Sequence, residues 1–138
     1  MIISTLPVTV FGTCNNFAFE FGFIETSNHS FVSRDLLEKI GVDISQHIEL
    51  DNPIAKDKPL VRRSLLPNML VNTEENMHKV DRLKLFEIGK IFEIEKQGEE
   101  MSRDSKDYLP RQDVMLGCVY SEKNVDVTFH ELSAFLIG

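Results

Sequence analysis

The sequence is poor in positive charge and in cysteine, and it has no long apolar run. Lys and Arg together number 15 against 22 Asp and Glu, which gives a formal net charge of −7. Arg62 and Arg63 form the only adjacent basic pair. Nucleic-acid-binding domains usually carry a basic patch, because neutralising phosphates supplies much of their affinity. This composition therefore argues against a free-standing nucleic-acid binder.

The two cysteines, Cys14 and Cys118, lie far apart and belong to no C-x-x-C pair or Cys/His cluster. No metal site is therefore expected. We interpret both as buried free thiols in a reducing compartment, since free cysteine is among the most buried residue types. No apolar stretch approaches the ~20 residues that a membrane helix needs, and the N-terminus lacks the basic segment of a signal peptide. A cytoplasmic protein without membrane contact is expected.

The length of 138 residues predicts one domain, residues 1–138, with a single core. Helix ends are marked by residue types that favour them. Gly22 and Gly41 can end helices, Ser33 can cap one, and Pro67 suits a first helical turn. In chain order, the predicted helices are 10–22, Arg34–Ile40 and Leu66–His78, and the predicted strands are Phe23–Phe31, Ile48–Asp51, Leu83–Glu95 and Val114–Tyr120. The inner face of the helix at Leu66–His78 is predicted to hold Met69, Leu70, Thr73 and Met77.

The segment Leu83–Glu95 has the clearest strand pattern. Apolar side chains at Phe86, Ile88, Phe92 and Ile94 alternate with charged ones, interrupted only by Lys90. Gly89 predicts a bulge or a close approach of another backbone segment. The charged face, with Glu87, Glu93 and Glu95, is interpreted as solvated.

Residues 96–106 are charged and poor in apolar side chains, which predicts a solvated hairpin loop. A further short strand or turn is predicted after Val125. An amphipathic helix is then predicted to begin at Phe129 and run to Ile137. The chain stops inside that helix, so a fragment is expected. The element order favours an α+β fold, an antiparallel sheet with flanking helices.

The helix predicted at residues 10–22 is apolar on more than one side. A helix of this kind must be buried on more than one side, and large exposed apolar surfaces mark interfaces. We therefore predict a subunit interface, although a position inside the chain's own core remains the alternative. The isolated chain is expected to self-associate. The predicted interface residues are Val10, Phe11, Cys14, Phe17, Phe21 and Phe23.

No residue is predicted to be catalytic. Arg62 and Arg63 could bind an anion or a tRNA backbone, but a structural salt bridge beside the turn, for example with Asp51 or Asp57, is the favoured interpretation. The glutamates at positions 25, 87 and 93 have no nucleophile or metal partner in the pattern. The histidines are scattered and are assigned surface or structural roles; they are His29, His47, His78 and His130.

Short motifs occur in a fixed order across more than a hundred residues. The motif positions are Gly22-Phe23-Ile24-Glu25 with Ser30-Phe31; Asn52-Pro53-Ile54, Arg62 and Leu65-Leu66-Pro67; Asn76; Leu85-Phe86-Glu87-Ile88-Gly89-Lys90-Ile91-Phe92; and Val125-Asp126-Val127-Thr128-Phe129 with Leu132. Together they resemble the catalytic-like core module of the β subunit of bacterial phenylalanyl-tRNA synthetase. Residues 10–31 correspond to motif 1 of that family and residues 83–120 to motif 2. Motif 3 would lie beyond Gly138.

The resemblance implies the fold of a class II aminoacyl-tRNA synthetase core, truncated at its C-terminus. It also implies an enzyme of two α and two β subunits, whose α subunit makes phenylalanyl-adenylate with ATP and magnesium and charges tRNA(Phe). The β module is expected to assemble with the α subunit without binding a cofactor itself. Glu93 stands where a catalytic domain has its motif 2 arginine, so the isolated chain is expected to be inactive. The alternatives are a free-standing paralogue that binds an amino acid or tRNA without charging it, and an unrelated α+β enzyme that binds an anion at Arg62 and Arg63.

Overall fold

A computed structural model describes residues 2–7, 20–100 and 108–123. Most of the helix predicted at residues 10–22 lies outside these ranges. The same is true of the elements predicted after Val125 and of four predicted interface residues, namely Val10, Phe11, Cys14 and Phe17.

The centre of the fold is a four-stranded sheet. Strand β5 (Arg82–Glu100) and strand β6 (Tyr108–Glu122) pair antiparallel, and β1 (Ile2–Pro7) pairs antiparallel with the other side of β6. Strand β2 (Ile24–Glu25) pairs parallel with β5, which completes the order β1-β6-β5-β2. The prediction of an antiparallel sheet is therefore corrected to a mixed one. Parallel neighbours need a crossover connection, and residues 26–81 supply it.

The strand predicted at Phe23–Phe31 is two short strands with different partners. Strand β2 joins β5, and the backbone N–H of Thr26 still donates to the carbonyl of Phe86 at 2.7 Å. The chain then turns away, and β3 (Phe31–Val32) pairs antiparallel with β4 (Leu60–Val61) in a separate small sheet. The strand predicted at Ile48–Asp51 is reduced to one bridge between Glu49 and Leu60.

The two ends of the central hairpin differ from the sequence prediction. Strand β5 continues to Glu100 and β6 begins at Tyr108, so the pairing extends well into the predicted loop, with register shifts after Glu93. Strand β1 was not predicted. Strand β1 pairs with β6, which is more than a hundred residues away in the sequence. The local pattern of a short segment cannot indicate a pairing of this kind.

The two helices of the crossover begin and end close to the predicted positions. Helix α1 (Arg34–Lys39) starts at Ser33, whose Oγ accepts from the N–H of Leu36 at 3.2 Å, and Gly41 follows with a φ of +74°. Helix α2 (Leu66–Asn76) has Pro67 in its first turn. Because α2 ends before the predicted His78, Met77 is exposed and not on the inner face, whereas Met69 and Thr73 are buried.

Both faces of the β5–β6 hairpin are covered near β2. On one face, hereafter the Phe23 face, Phe23 packs on Phe86, Leu116 and Cys118, with Ile88 at the margin. The other, hereafter the α2 face, packs against α2 and the residue before it, through a cluster of Leu65, Met69, Leu83, Leu85 and Val119. A third cluster lies beneath α1 and contains Val32, Leu37 and Leu60.

Two predictions about the core have opposite outcomes. Cys118 is a buried free thiol, as predicted. Phe23 was predicted at an interface, but it is buried within this chain's own core. Phe21, by contrast, is partly exposed, and Gly22 beside it has a φ of +74°, which is the conformation expected of a residue that ends a helix.

Candidate functional site: a buried arginine–glutamate pair

The backbone of Arg62 is fixed between two segments of the fold. Its N–H donates to the carbonyl of Ser30 at 2.9 Å, and its own carbonyl accepts from the N–H of Phe92 at 3.1 Å. Arg62 follows directly after β4, so the small sheet and the large sheet meet at this residue. Its side chain is consequently directed along the α2 face of β5.

The side chain of Arg62 forms an ion pair with Glu87 inside the protein. The Nη1 of Arg62 lies 2.7 Å from the Oε1 of Glu87, and the two residues are only 3% and 2% exposed. Arg62 also donates from Nε to the carbonyl of Lys90 at 2.9 Å and from Nη1 to the carbonyl of Asn28 at 3.4 Å. Buried charges are tolerated when they are paired and hydrogen-bonded in this way.

The second oxygen of the Glu87 carboxylate is also satisfied. Asn28 donates from Nδ2 to Oε2 at 2.7 Å and from its backbone N–H to Oε1 at 3.4 Å. Asn72 of α2 donates in turn to the Oδ1 of Asn28 at 3.1 Å. The network therefore connects β5, α2 and the segment between β2 and β3, and we call these four residues, Asn28, Arg62, Asn72 and Glu87, the polar clamp.

Gly89 makes room for the polar clamp. A Cβ at this position would lie 2.3 Å from the Nη2 of Arg62 and 3.2 Å from the Cδ2 of Leu65. The pairing of β5 with β6 continues without a shift from Arg82 to Glu93. Of the two roles predicted for Gly89, the bulge is wrong, and the close approach is made by the side chains of Arg62 and Leu65 and not by a backbone segment.

Two interpretations from the sequence are corrected here. Glu87 does not lie on a solvated face, because α2 and the segment before β3 cover that face of β5. The structural salt bridge favoured for Arg62 is present, but its partner is Glu87 and not Asp51 or Asp57. Arg63 points elsewhere and donates from Nη1 to the backbone carbonyl and side-chain oxygen of Gln46, at 3.0 and 2.9 Å.

Alternation alone could not have found the partners of this pair. Asn28 and Asn72 were not singled out from the sequence, nor was the buried Asn68, which donates to the carbonyls of His29 and Phe31 at 3.0 and 3.4 Å. The available signal was weak: Asn28 is a short amide within a predicted strand and Asn68 and Asn72 are short amides on a predicted helix, and such side chains often bond to backbone groups.

The motif positions divide into a central group and a peripheral group. Arg62, Leu65, Glu87 and Gly89 converge on the α2 face, whereas Phe86 is buried on the opposite, Phe23 face. Pro67 is buried nearby in α2, and Asn76 donates to the carbonyl of Asn72 at 2.8 Å at the end of that helix. The peripheral group is exposed or partly exposed and comprises Gly22, Glu25, Asn52 and Pro53.

The polar clamp is chemically closed. Its positive and negative charges neutralise each other, and both residues of the ion pair are buried. Among the described residues there is no group of three side chains suited to hold a metal ion. Glu93 pairs in register with Arg111 across the hairpin, away from the clamp. The arrangement is suited to fixing three segments relative to one another, and it offers no open cation to a phosphate.

No helix in the described part of the chain is long and apolar enough to cross a membrane.

The family model described as the phenylalanyl tRNA synthetase beta chain CLM domain matches residues 9–134. A phenylalanine–tRNA ligase β subunit from Fusobacterium nucleatum is 31% identical over 127 residues, covering 85% of this chain and 15% of the relative. The same subunit from Solibacter usitatus is 43% identical over 68 residues, which is 49% of this chain and 9% of the relative. The chain thus spans less than a fifth of the length of these relatives.

The fold is similar to that of a solved aminoacyl-tRNA synthetase. The crystal structure of pyrrolysyl-tRNA synthetase from Desulfitobacterium hafniense matches 89% of this chain and 42% of its own, with a TM-score of 0.68 and 19% identity. At that identity the similarity concerns the fold alone. It agrees with the α+β architecture described above. The match to the family model over nearly the whole chain establishes that this chain belongs to the phenylalanyl-tRNA synthetase β chain family and corresponds to its CLM domain.

Proposed function

We propose that this module is a non-catalytic structural part of a phenylalanine–tRNA ligase, and that its role is to assemble with the α subunit. Adenylate formation and tRNA charging would take place on the α subunit, with ATP and magnesium bound there and not on this chain. The assembly would contain two α and two β subunits, would act on tRNA(Phe) and would be located in the cytoplasm. Belonging to the β chain family supports the synthetase-related part of this proposal.

The main support for a non-catalytic role is that Arg62 is buried and paired within the protein. Adenylation spreads negative charge over phosphates, and accessible arginines are the natural groups to stabilise it. Arg62 occupies a family motif position, yet its guanidinium is 3% exposed and bound to Glu87 and to the carbonyl of Lys90. An arginine held in this way supports the fold and is not available to a nucleotide.

The open edge of the described sheet supports the assembly role. Strand β2 is the outermost strand beside β5. Ile24 in β2 is 60% exposed and Phe21, just before it, is 38% exposed. Apolar side chains beside an open strand edge favour association with another protein surface. We call this region, Phe21 and Ile24, the β2 patch, and it retains one residue of the interface predicted from the sequence.

The assembly role is tested by mixing the 138-residue chain with the α subunit of the same synthetase and measuring complex formation by size-exclusion chromatography with light scattering. We expect a complex whose affinity falls about 30-fold or more in Ile24→Asp, as for the loss of an interface hot spot. Self-association of the chain alone should weaken in the same variant.

Ile54→Asp is the matched control. Ile54 is fully exposed, lies on the loop between α1 and β4, and undergoes the same chemical change. It should leave the complex unchanged, and both variants should keep the wild-type melting temperature. Failure of the wild-type chain to bind the α subunit, or an equal loss in both variants, would contradict the β2 patch as the assembly surface.

The non-catalytic role is tested separately by ATP–pyrophosphate exchange in the presence of phenylalanine and magnesium. The isolated chain should show no exchange above the buffer. Measurable exchange that depends on the chain would overturn this half of the proposal.

A further inference from the structure

A groove lies between α1, the loop that follows it and the start of α2. Its volume is about 440 Å³, within the range of roughly 300–1,000 Å³ that is usual for small-molecule sites. One wall is apolar and is formed by Val32, Leu37, Ile40, Leu66 and Leu70. Arg62 of the polar clamp also lines the groove, whereas the residues of the β2 patch do not.

The other end of the groove is polar. His47, Arg63 and Ser64 contribute to its lining. The Nδ1 of His47 is buried and has no hydrogen-bond partner in the described part of the chain. An enclosed ring nitrogen without a partner is costly, so a bound group that supplies one would be favoured at this end.

Arg63 supplies a positive charge at this end. Burial lowers the pKa of His47 most and the positive charge of Arg63 lowers it further, whereas hydrogen bonds to the backbone carbonyls of Asp43 and Ile44 and the carboxylate of Asp43 raise it. Asp43 also lines the groove, but its two oxygens accept from the N–H and hydroxyl of Ser45, at 2.9 and 2.8 Å, within its own turn. Helix α2 carries no acidic residue in its first turn, so its N-terminal dipole adds to the positive field.

We infer that this groove is a binding site for a small amphipathic anion, with an aliphatic body along the apolar wall and a carboxylate at the end formed by His47, Arg63 and Ser64. The apolar wall excludes a simple inorganic anion as the preferred ligand, because such an ion would leave that wall empty. An amine would lie beside the guanidinium of Arg63, whose charge disfavours it. This site is independent of the assembly role, so either proposal can fail without the other.

The test is a titration of the ¹⁵N-labelled 138-residue chain with hexanoate, followed by amide chemical shifts. Three control ligands separate the aliphatic chain from the charge. Hexanol has the six-carbon chain without a charge, and hexylammonium has the same chain with a positive charge. Acetate has the carboxylate without the long chain. Hexanoate should shift the amides of Val42, Gln46, His47 and Ser64 and bind about tenfold more tightly than hexanol, since a hydrogen bond to a charged group contributes about 1.5 kcal/mol or more. Acetate and hexylammonium should produce no saturable shift at these amides.

Arg63→Gln should reduce hexanoate binding to the level of hexanol while hexanol binding is unchanged. The matched control is Lys39→Gln, which removes one positive charge from the nearby helix α1 but does not line the groove. It should bind hexanoate as the wild type does. Equal affinities for hexanoate and hexanol would show an apolar groove only. Shifts that map outside the groove, or an equal loss in both variants, would also overturn the inference.

Discussion

The two faces of the β5–β6 hairpin are both buried, but they achieve burial in different ways. The Phe23 face is covered by apolar side chains alone, around Phe86, Leu116 and Cys118. The α2 face combines an apolar cluster with the ion pair of Arg62 and Glu87. The stability of an apolar face depends on how completely side-chain volume fills it. The stability of a face with buried charges depends on each charge keeping its partner. The two faces should therefore respond differently to small substitutions.

The largest effect is expected where a buried charge loses its partner. Glu87→Gln keeps the shape of the side chain but leaves the Arg62 guanidinium buried without a counter-charge. We expect a loss of about 3–5 kcal/mol in the free energy of unfolding, measured by urea denaturation. The double variant Arg62→Met with Glu87→Leu should recover most of this loss, because a buried ion pair contributes little over a well-packed apolar pair.

The exposed pair of Arg34 and Glu49 is the control for the polar clamp. Both of its side chains are about half exposed, at 43% and 56%. Glu49→Gln should lower the free energy of unfolding far less than Glu87→Gln, because surface ion pairs are screened by solvent. Similar losses in Glu87→Gln and Glu49→Gln would mean that the buried pair does not hold the α2 face together.

A smaller effect is expected from adding one methyl group to the α2 face. In Gly89→Ala the new Cβ would lie 2.3 Å from the Nη2 of Arg62, which is held by the other bonds of its guanidinium. In Gly117→Ala it would lie 2.7 Å from the Sδ of Met69, a flexible side chain that can move. We expect Gly89→Ala to lower the free energy of unfolding by about 1–3 kcal/mol, and Gly117→Ala to lower it by less. The reverse order in thermal denaturation would contradict a rigid clamp.

The Phe23 face should tolerate a change that conserves volume. Leu116 is buried there among apolar neighbours, so Leu116→Met should lower the free energy of unfolding by less than about 1.5 kcal/mol. Urea denaturation with an unchanged slope would show that the native state remains compact. If Leu116→Met lowered the free energy of unfolding as much as Glu87→Gln does, the two faces would not differ in their sensitivity to small substitutions.

The same comparison explains which parts of the fold could be predicted from the sequence. Alternation correctly assigned Phe86 and Ile88 to one face of β5, because a strand repeats every two residues. It wrongly predicted that Glu87 is exposed to solvent. The two-residue period of a strand predicts which side chains share a face, but it does not predict whether that face is covered. Gly89 was the local sign of a covered face, because a glycine in a strand often marks a close approach.

The pairing of strands that are distant in sequence was the other feature of the fold that local sequence patterns could not predict. The strands at Ile24–Glu25 and Phe31–Val32 belong to different sheets, although the sequence between them has no strong break. Their partners lie about 60 and 30 residues further along the chain. The motif order identified the family correctly, whereas the convergence of Arg62 with Glu87 required the three-dimensional arrangement.

The smallest effect concerns a charged group at the margin of the Phe23 face. The hydroxyl of Tyr120 and the guanidinium of Arg82, which donates from Nη2 at 2.8 Å, both donate to the carboxylate of Glu122, and these hydrogen bonds hold its pKa below the ordinary value. The folded state therefore binds a proton less readily than the unfolded state. The contribution of Glu122 to stability is present above a pH of about 4.5 and is lost as the pH falls below it.

This prediction is checked by comparing urea midpoints at neutral pH and in acid. In Tyr120→Phe, which removes the principal donor while keeping the ring, the midpoint should fall less steeply with acid than in the wild type. Glu122→Gln should flatten the same part of the profile, because it removes the titrating group. Parallel profiles for the wild type and both variants would show that Glu122 does not contribute to the acid sensitivity of this face. Charge would then matter to the stability of the hairpin only where it is buried, at the polar clamp.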